Sequence, residues 1–185
     1  LNQTQKDTIT TMIVKGEMNK ADFRVMKYDM PKLRYIDLKD VKCKDNKIPD
    51  SALGSKWMGM GYNNTLISTI ILPQSIKIIG EEAFAHCYGL TGPLILPDGL
   101  TTIEDHAFNS CAGLTGSLIL PDGLSRIGVN AFWGCTGFTG SLILPDGLKT
   151  IEHGAFVGCS GFTGILIFPD GLTTIGPWAF FNCFN

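Results

Sequence analysis

The sequence predicts a repeat solenoid: a parallel sheet of short strands on one face, short strands and helical or 3₁₀ turns on the other, and a helical cap turn at the N-terminus. Three observations carry this. First, a segment typified by Ala107-Phe108-Asn109-Ser110-Cys111-Ala112-Gly113-Leu114-Thr115-Gly116-Ser117-Leu118-Ile119-Leu120-Pro121-Asp122-Gly123 recurs every 24 residues. Second, identical residues fall into columns: Phe84, Phe108, Phe132, Phe156 and Phe180; Cys87, Cys111, Cys135, Cys159 and Cys183; Pro73, Pro97, Pro121, Pro145 and Pro169. Third, 44% of residues are hydrophobic and 17% charged, which excludes a disordered chain. A fixed period in this range means stacked units, each burying its apolar face against its neighbours.

From the N-terminus, Thr8 to Val14 reads as a strand, with Ile9, Met12 and Val14 apolar. Asn19 is placed to cap a helix from Lys20 to about Met30, with Ala21, Phe23, Met26 and Met30 as its buried side. Pro31 ends that helix. Leu33, Ile36 and Leu38 repeat the spacing of Ile9, Met12 and Val14 at an offset of 24, so residues 1–41 read as the first turn of the array and its cap. The next matching pair, Ile70 and Leu72, comes 34 residues after Ile36 and Leu38. Ten residues are therefore inserted, and residues 42–65, rich in Lys, Asp, Asn, Ser and Gly around Trp57, read as an irregular loop. Residues 66–185 form five regular units, the last incomplete. Within a unit, Leu94-Ile95-Leu96 is a short strand, Pro97-Asp98-Gly99 a turn, Leu100 to Ile103 a second extended piece, and Glu104 to Cys111 about one helical or 3₁₀ turn. The chain ends where a further unit would begin its strand, which leaves an open edge.

The pattern Asp-Gly-Leu-x-x-Ile-x-x-x-Ala-Phe-x-x-Cys-x-Gly-Leu-Thr-Gly-x-Leu-x-Leu-Pro resembles the BspA-like leucine-rich repeat, found in surface and secreted proteins of Bacteroides and some protists. Residues 8–41, with Leu33-x-x-Ile36-Asp37-Leu38, resemble the leucine-rich turn that precedes such arrays. That family usually repeats every 23 residues or so; Gly92, Gly116, Gly140 and Gly164 sit where one extra residue would make a bulge. The resemblance implies a curved right-handed solenoid, secreted or at the cell surface, that binds proteins or adheres to surfaces and has no catalytic residues.

Charge divides the chain. Residues 1–50 hold 11 of the 15 Lys and Arg against 8 acids; residues 51–185 hold 4 against 9. The array is acidic and lacks the basic stripe of a nucleic-acid binder. No apolar run approaches the ~20 residues of a membrane span. The chain begins at Leu1 without a signal-peptide pattern, which reads as a mature form or an excised piece.

No catalytic, cofactor-binding or metal-ligating constellation emerges. The Cys column reads as a ladder of small buried hydrophobes, although adjacent strands ~4.8 Å apart would tolerate a disulfide. Cys43 lies outside it. His86, His106 and His153 share no face at ligand spacing and read as surface residues. Asp98, Asp122, Asp146 and Asp170 align in Pro-Asp-Gly turns. Each would bond its own turn backbone, or the column would bind Ca²⁺. Trp133 and Trp178 offer stacking platforms for a sugar. The strand face carries the strongest binding candidate. With Leu94 and Leu96 buried, Ile95 must point out, and the same alternation exposes Ile71, Ile119, Ile143 and Ile167. Five such residues make a stripe about 20 Å long, suited to a protein or other surface macromolecule. A second copy of the chain, joined through that face or the open edge, is an alternative, as are a spacer role and a glycan-binding surface.

Overall fold

Each turn of the chain is held to the next by parallel hydrogen bonds between equivalent residues. The computed structural model describes residues 2–54 and 66–183. They wind into a solenoid of about six turns with two parallel sheets.

The N-terminal turns hold the long elements. A one-turn helix, α1 (Gln3–Lys6), leads into strand β1 (Thr11–Met18), then helix α2 (Lys20–Tyr28) and strand β2 (Tyr35–Cys43). Asn19 caps α2 as expected: its side chain accepts a hydrogen bond from the Ala21 backbone N–H at 2.7 Å, and the Asn19 backbone N–H donates to Asp22 at 2.8 Å. Phe23, Met26 and Met30 are buried. Ala21 is exposed, contrary to the expected helix face. Register confirms the period. Met12 pairs with Ile36 at an offset of 24, and Ile36 with Ile70 of β4 (Thr69–Ile71) at 34.

The reading of residues 42–65 as an irregular loop needs correction over its described part. Strand β2 runs on through Cys43, a 3₁₀ turn covers Lys44–Asn46, and β3 (Lys47–Ile48) opens the second sheet. Polar residues hid this strand pairing: Lys42 and Lys44 face water while Val41, Cys43 and Ile48 are buried. Lys47 anchors the entry, bonding Asp50 at 2.8 Å and Glu104 at 2.7 Å. Trp57 and the rest of residues 55–65 lie outside the described residues.

From β3 the second sheet continues through β5 (Ile78–Ile79), β6 (Thr102–Ile103), β7 (Arg126–Ile127), β8 (Thr150–Ile151) and β9 (Thr174–Ile175), each strand two residues long. This ladder runs on the second extended piece of each unit. The Leu94-Ile95-Leu96 segment, expected to be the strand, is extended but carries only isolated bridges such as Ile119 to Ile143. Each segment lies between a left-handed glycine (Gly92, Gly116 and Gly140, φ +78 to +79°) and a proline without an N–H, which confines it to four residues.

The interior is a stack of like on like. Phe84, Phe108, Phe132 and Phe156 are fully buried, and neighbouring rings lie nearly parallel at 5.2–5.4 Å. Phe180 extends the stack at 5.5 Å but is half-buried. A second aromatic column, Phe138 and Phe162, meets the first edge-on, Phe138 against Phe132 and Phe162 against Phe156.

Candidate binding face

The outward face of the Leu-Ile-Leu segments is built from alternation alone. Leu94, Leu96, Leu118, Leu120, Leu142 and Leu144 are buried, so the residue between each pair must face water. Ile95, Ile119 and Ile143 are 71%, 75% and 74% exposed; Ile167 is 73% exposed in the last turn, where Leu166 is half-buried and Phe168 exposed. Ile71 departs from this expectation. It is half-buried, in register with Asp37, which is itself buried with its carboxylate accepting from the Lys39 backbone N–H at 3.0 Å. The freely exposed stripe is therefore four residues, not five. Ile13, 65% exposed, sits in the same column beyond Asp37. Thr91, Thr115, Thr139 and Thr163 are exposed beside the stripe on its N-terminal side, and Asp98, Asp122, Asp146 and Asp170 on the other.

The cysteine ladder is interior. All six thiols are free and buried. Cys111, Cys135 and Cys159 donate to the backbone carbonyls of Phe84, Phe108 and Phe132 in the preceding turn, at 3.0–3.1 Å, and Cys183 does the same to Phe156. The thiol thus ties one column to the next, a role that sequence spacing did not reveal. Burial pushes the Cys87 and Cys135 thiols up to about 12 and holds Cys111 and Cys159 well above the usual range. They are poor nucleophiles.

The turn face brings other polar groups together. His86, expected at the surface, is buried instead, its Nδ1 3.0 Å from the Tyr88 hydroxyl, because Tyr88 folds over it. Burial lowers its pKa, against the opposing pull of Glu82. His106 bonds Asn109 at 3.2 Å, and His153 is exposed. Glu82, His106, Asn130, Gly154 and Trp178 occupy one column with φ between +50° and +64°. The strained backbone is therefore a property of the repeat and not the mark of a reactive centre. Trp178 packs at 5.5 Å from His153 and 6.5 Å from Phe181, whereas Trp133 joins no ring cluster among the described residues. The two tryptophans do not form one platform. Among the described residues no group of three Cys, His, Asp or Glu side chains is placed to hold a metal ion, and no helix is long and apolar enough to cross a membrane.

This geometry, a solenoid of 24-residue turns with an interior Phe and Cys ladder, defines a leucine-rich repeat protein. The chain belongs to the BspA-type leucine-rich repeat family, whose sequence model matches residues 60–185 as six copies. No curated protein matches it. Among solved structures, a leucine-rich repeat protein of T. pallidum shares 22% identity and the fold, with a TM-score of 0.66 over 92% of this chain and 74% of the other. A leucine-rich repeat protein of Bacteroides ovatus ATCC 8483 is 25% identical, with a TM-score of 0.67 over 91% of this chain and 39% of its own. A leucine rich cell surface protein of Faecalibacterium prausnitzii A2-165 is also 25% identical, with a TM-score of 0.65 over 95% and 45%. The chain spans less than half the length of those last two.

Proposed function

We propose that residues 66–185 act as a non-catalytic protein-binding module of a secreted or cell-surface protein, with residues 1–41 as its cap, and that the partner docks on the isoleucine stripe. One observation carries this reading: four isoleucines stand at equivalent outward positions of successive turns, each more than two-thirds exposed. Soluble folds seldom leave apolar side chains contiguous unless something covers them. Strand propensity is a weak alternative explanation here, since these segments form only isolated bridges. The family supports the same reading, because leucine-rich repeats are in general protein-interaction modules and not catalysts. The F. prausnitzii relative, described as a cell surface protein, supports the location.

The test replaces Ile119 and Ile143 together by Thr, which keeps strand propensity and removes the apolar patch. Capture of surface-extract proteins on the immobilised chain should fall at least tenfold, with circular dichroism and melting unchanged. Capture that persists at full strength with the fold intact places the binding face elsewhere.

A further inference from the structure

Four carboxylates on the array do nothing for the fold. Asp98, Asp122, Asp146 and Asp170 are exposed at the same corner of successive turns. Each corner is closed by backbone alone: Leu100, Leu124, Leu148 and Leu172 N–H groups donate to the carbonyls of Pro97, Pro121, Pro145 and Pro169, all at 3.0 Å. The corner with Gln74 in place of Asp closes the same way, from Ile76 to Pro73. None of the four aspartates makes a hydrogen bond or ion pair among the described residues, whereas acids elsewhere on the array are matched: Glu104 to Lys47, and Asp105 and Glu152 to Arg126. Like charges stacked turn on turn repel one another. Lys77 and Lys149 reach the turns at Gly99 and Gly171 without bonding these carboxylates, so the column gives no structural return in hydrogen bonds or ion pairs. It also runs beside the other group of side chains without partners. Each Asp follows its exposed Ile by three residues, at most about 11 Å along the chain.

We propose that the strand face receives a cationic amphipathic helix lying along the solenoid axis, its apolar side on Ile95, Ile119, Ile143 and Ile167 and its Lys or Arg side chains on Asp98, Asp122, Asp146 and Asp170. This rests on the strand face being the docking surface. Charge complementarity selects a basic partner. Pitch selects a helix: its turns repeat every ~5.4 Å, close to the ~4.8 Å between neighbouring strands, whereas an extended strand presents same-side residues every ~6.7 Å and soon falls out of step. A second copy docked by the same face with the two solenoid axes antiparallel would bring the acidic columns together.

The experiment uses the full chain and a synthetic four-turn helical peptide with Leu along one face and flanking Lys, followed by fluorescence anisotropy. Wild type should bind it, more weakly as NaCl rises from 50 to 500 mM, because exposed charge pairs are screened. Asp122→Asn with Asp146→Asn should weaken binding about 2–30-fold at low salt, the range for two exposed ion pairs, and flatten the salt dependence. Ile119→Thr with Ile143→Thr should abolish it. No binding by wild type overturns the proposal. If the Ile pair abolishes binding while the Asn pair and salt change nothing, the basic partner is wrong and the strand face stands. Should the Ile pair bind like wild type, the strand-face reading falls as well. A concentration-dependent dimer lost in the Ile variant and indifferent to the peptide assigns the face to a second copy. Ca²⁺ that raises the melting temperature of wild type but not of the Asn variant, and displaces the peptide, makes the column a cation site. Either of those last results overturns the proposal.

Discussion

The N-terminal turns and the regular array solve one problem by different means. In the first, β1 and β2 pair over seven residues, and a capped helix lays Phe23, Met26 and Met30 on the core. In the second, the strands are two residues long, and order comes from identical side chains stacked in columns. The cap holds itself together through backbone and helix. The array holds through its neighbours, as expected of a one-dimensional chain of nearest-neighbour contacts. This difference also explains where apolar side chains are left exposed. The array is joined turn to turn by its interior columns and the ladder of the second sheet, while the Leu-Ile-Leu segments bury their leucines, form only isolated bridges and leave their isoleucines exposed.

Removing one ring from the column should loosen the array far more than the cap. Phe132→Ala leaves a cavity between Phe108 and Phe156, which Phe138 also borders, and should cost about 3–5 kcal/mol in denaturant melts. Hydrogen exchange should then rise in the turns on either side while the cap stays protected. A loss below about 1 kcal/mol, or equal loosening of α2, would show that cap and array are not separately held.

Next in size is a dependence on pH that belongs to the array. The Cys135 thiol ionises near 9.0 when unfolded, and burial in the fold moves it to about 12. Above pH 9 the unfolded chain releases a proton that the folded chain keeps, so stability is complete below 9 and falls as pH rises towards 12. The slope is ~1.4 kcal/mol per pH unit for each such thiol. Urea melts at pH 8, 9 and 10 should show that slope reduced in Cys135→Ala relative to wild type. Equal slopes would mean that the thiol is not shielded.

The smallest expected effect lies in the cap. Asn19→Ala removes the bond to the Ala21 N–H and should cost about 1 kcal/mol. Thiol reactivity of Cys135 under native conditions should stay as low as in wild type, since its contact runs to Phe108 within the array. A rise would show that cap and array unfold as one unit.

Much of this was legible from the residues alone, for a physical reason. Every 24 residues the same side chain meets the same environment, so period, register offsets of 24 and 34, the buried Phe and Cys columns and the outward isoleucines all follow from spacing and alternation. Asn19 was readable as a cap because capping is local. Contacts between turns were another matter. That Phe138 and Phe162 form a second column, that each Cys thiol reaches the carbonyl of a Phe one turn back, and that Arg126 bridges Asp105 and Glu152 depend on which atoms stacking brings within reach. The two-residue ladder on the second extended piece, the strand hidden among lysines at Lys47–Ile48, and the burial of His86 under Tyr88 were likewise settled by stacking. A repeat pattern states what each residue is and how often it returns. Only the packed turns decide which residue of the neighbouring turn it faces, since backbone donors and side-chain volumes on both sides must be satisfied at once.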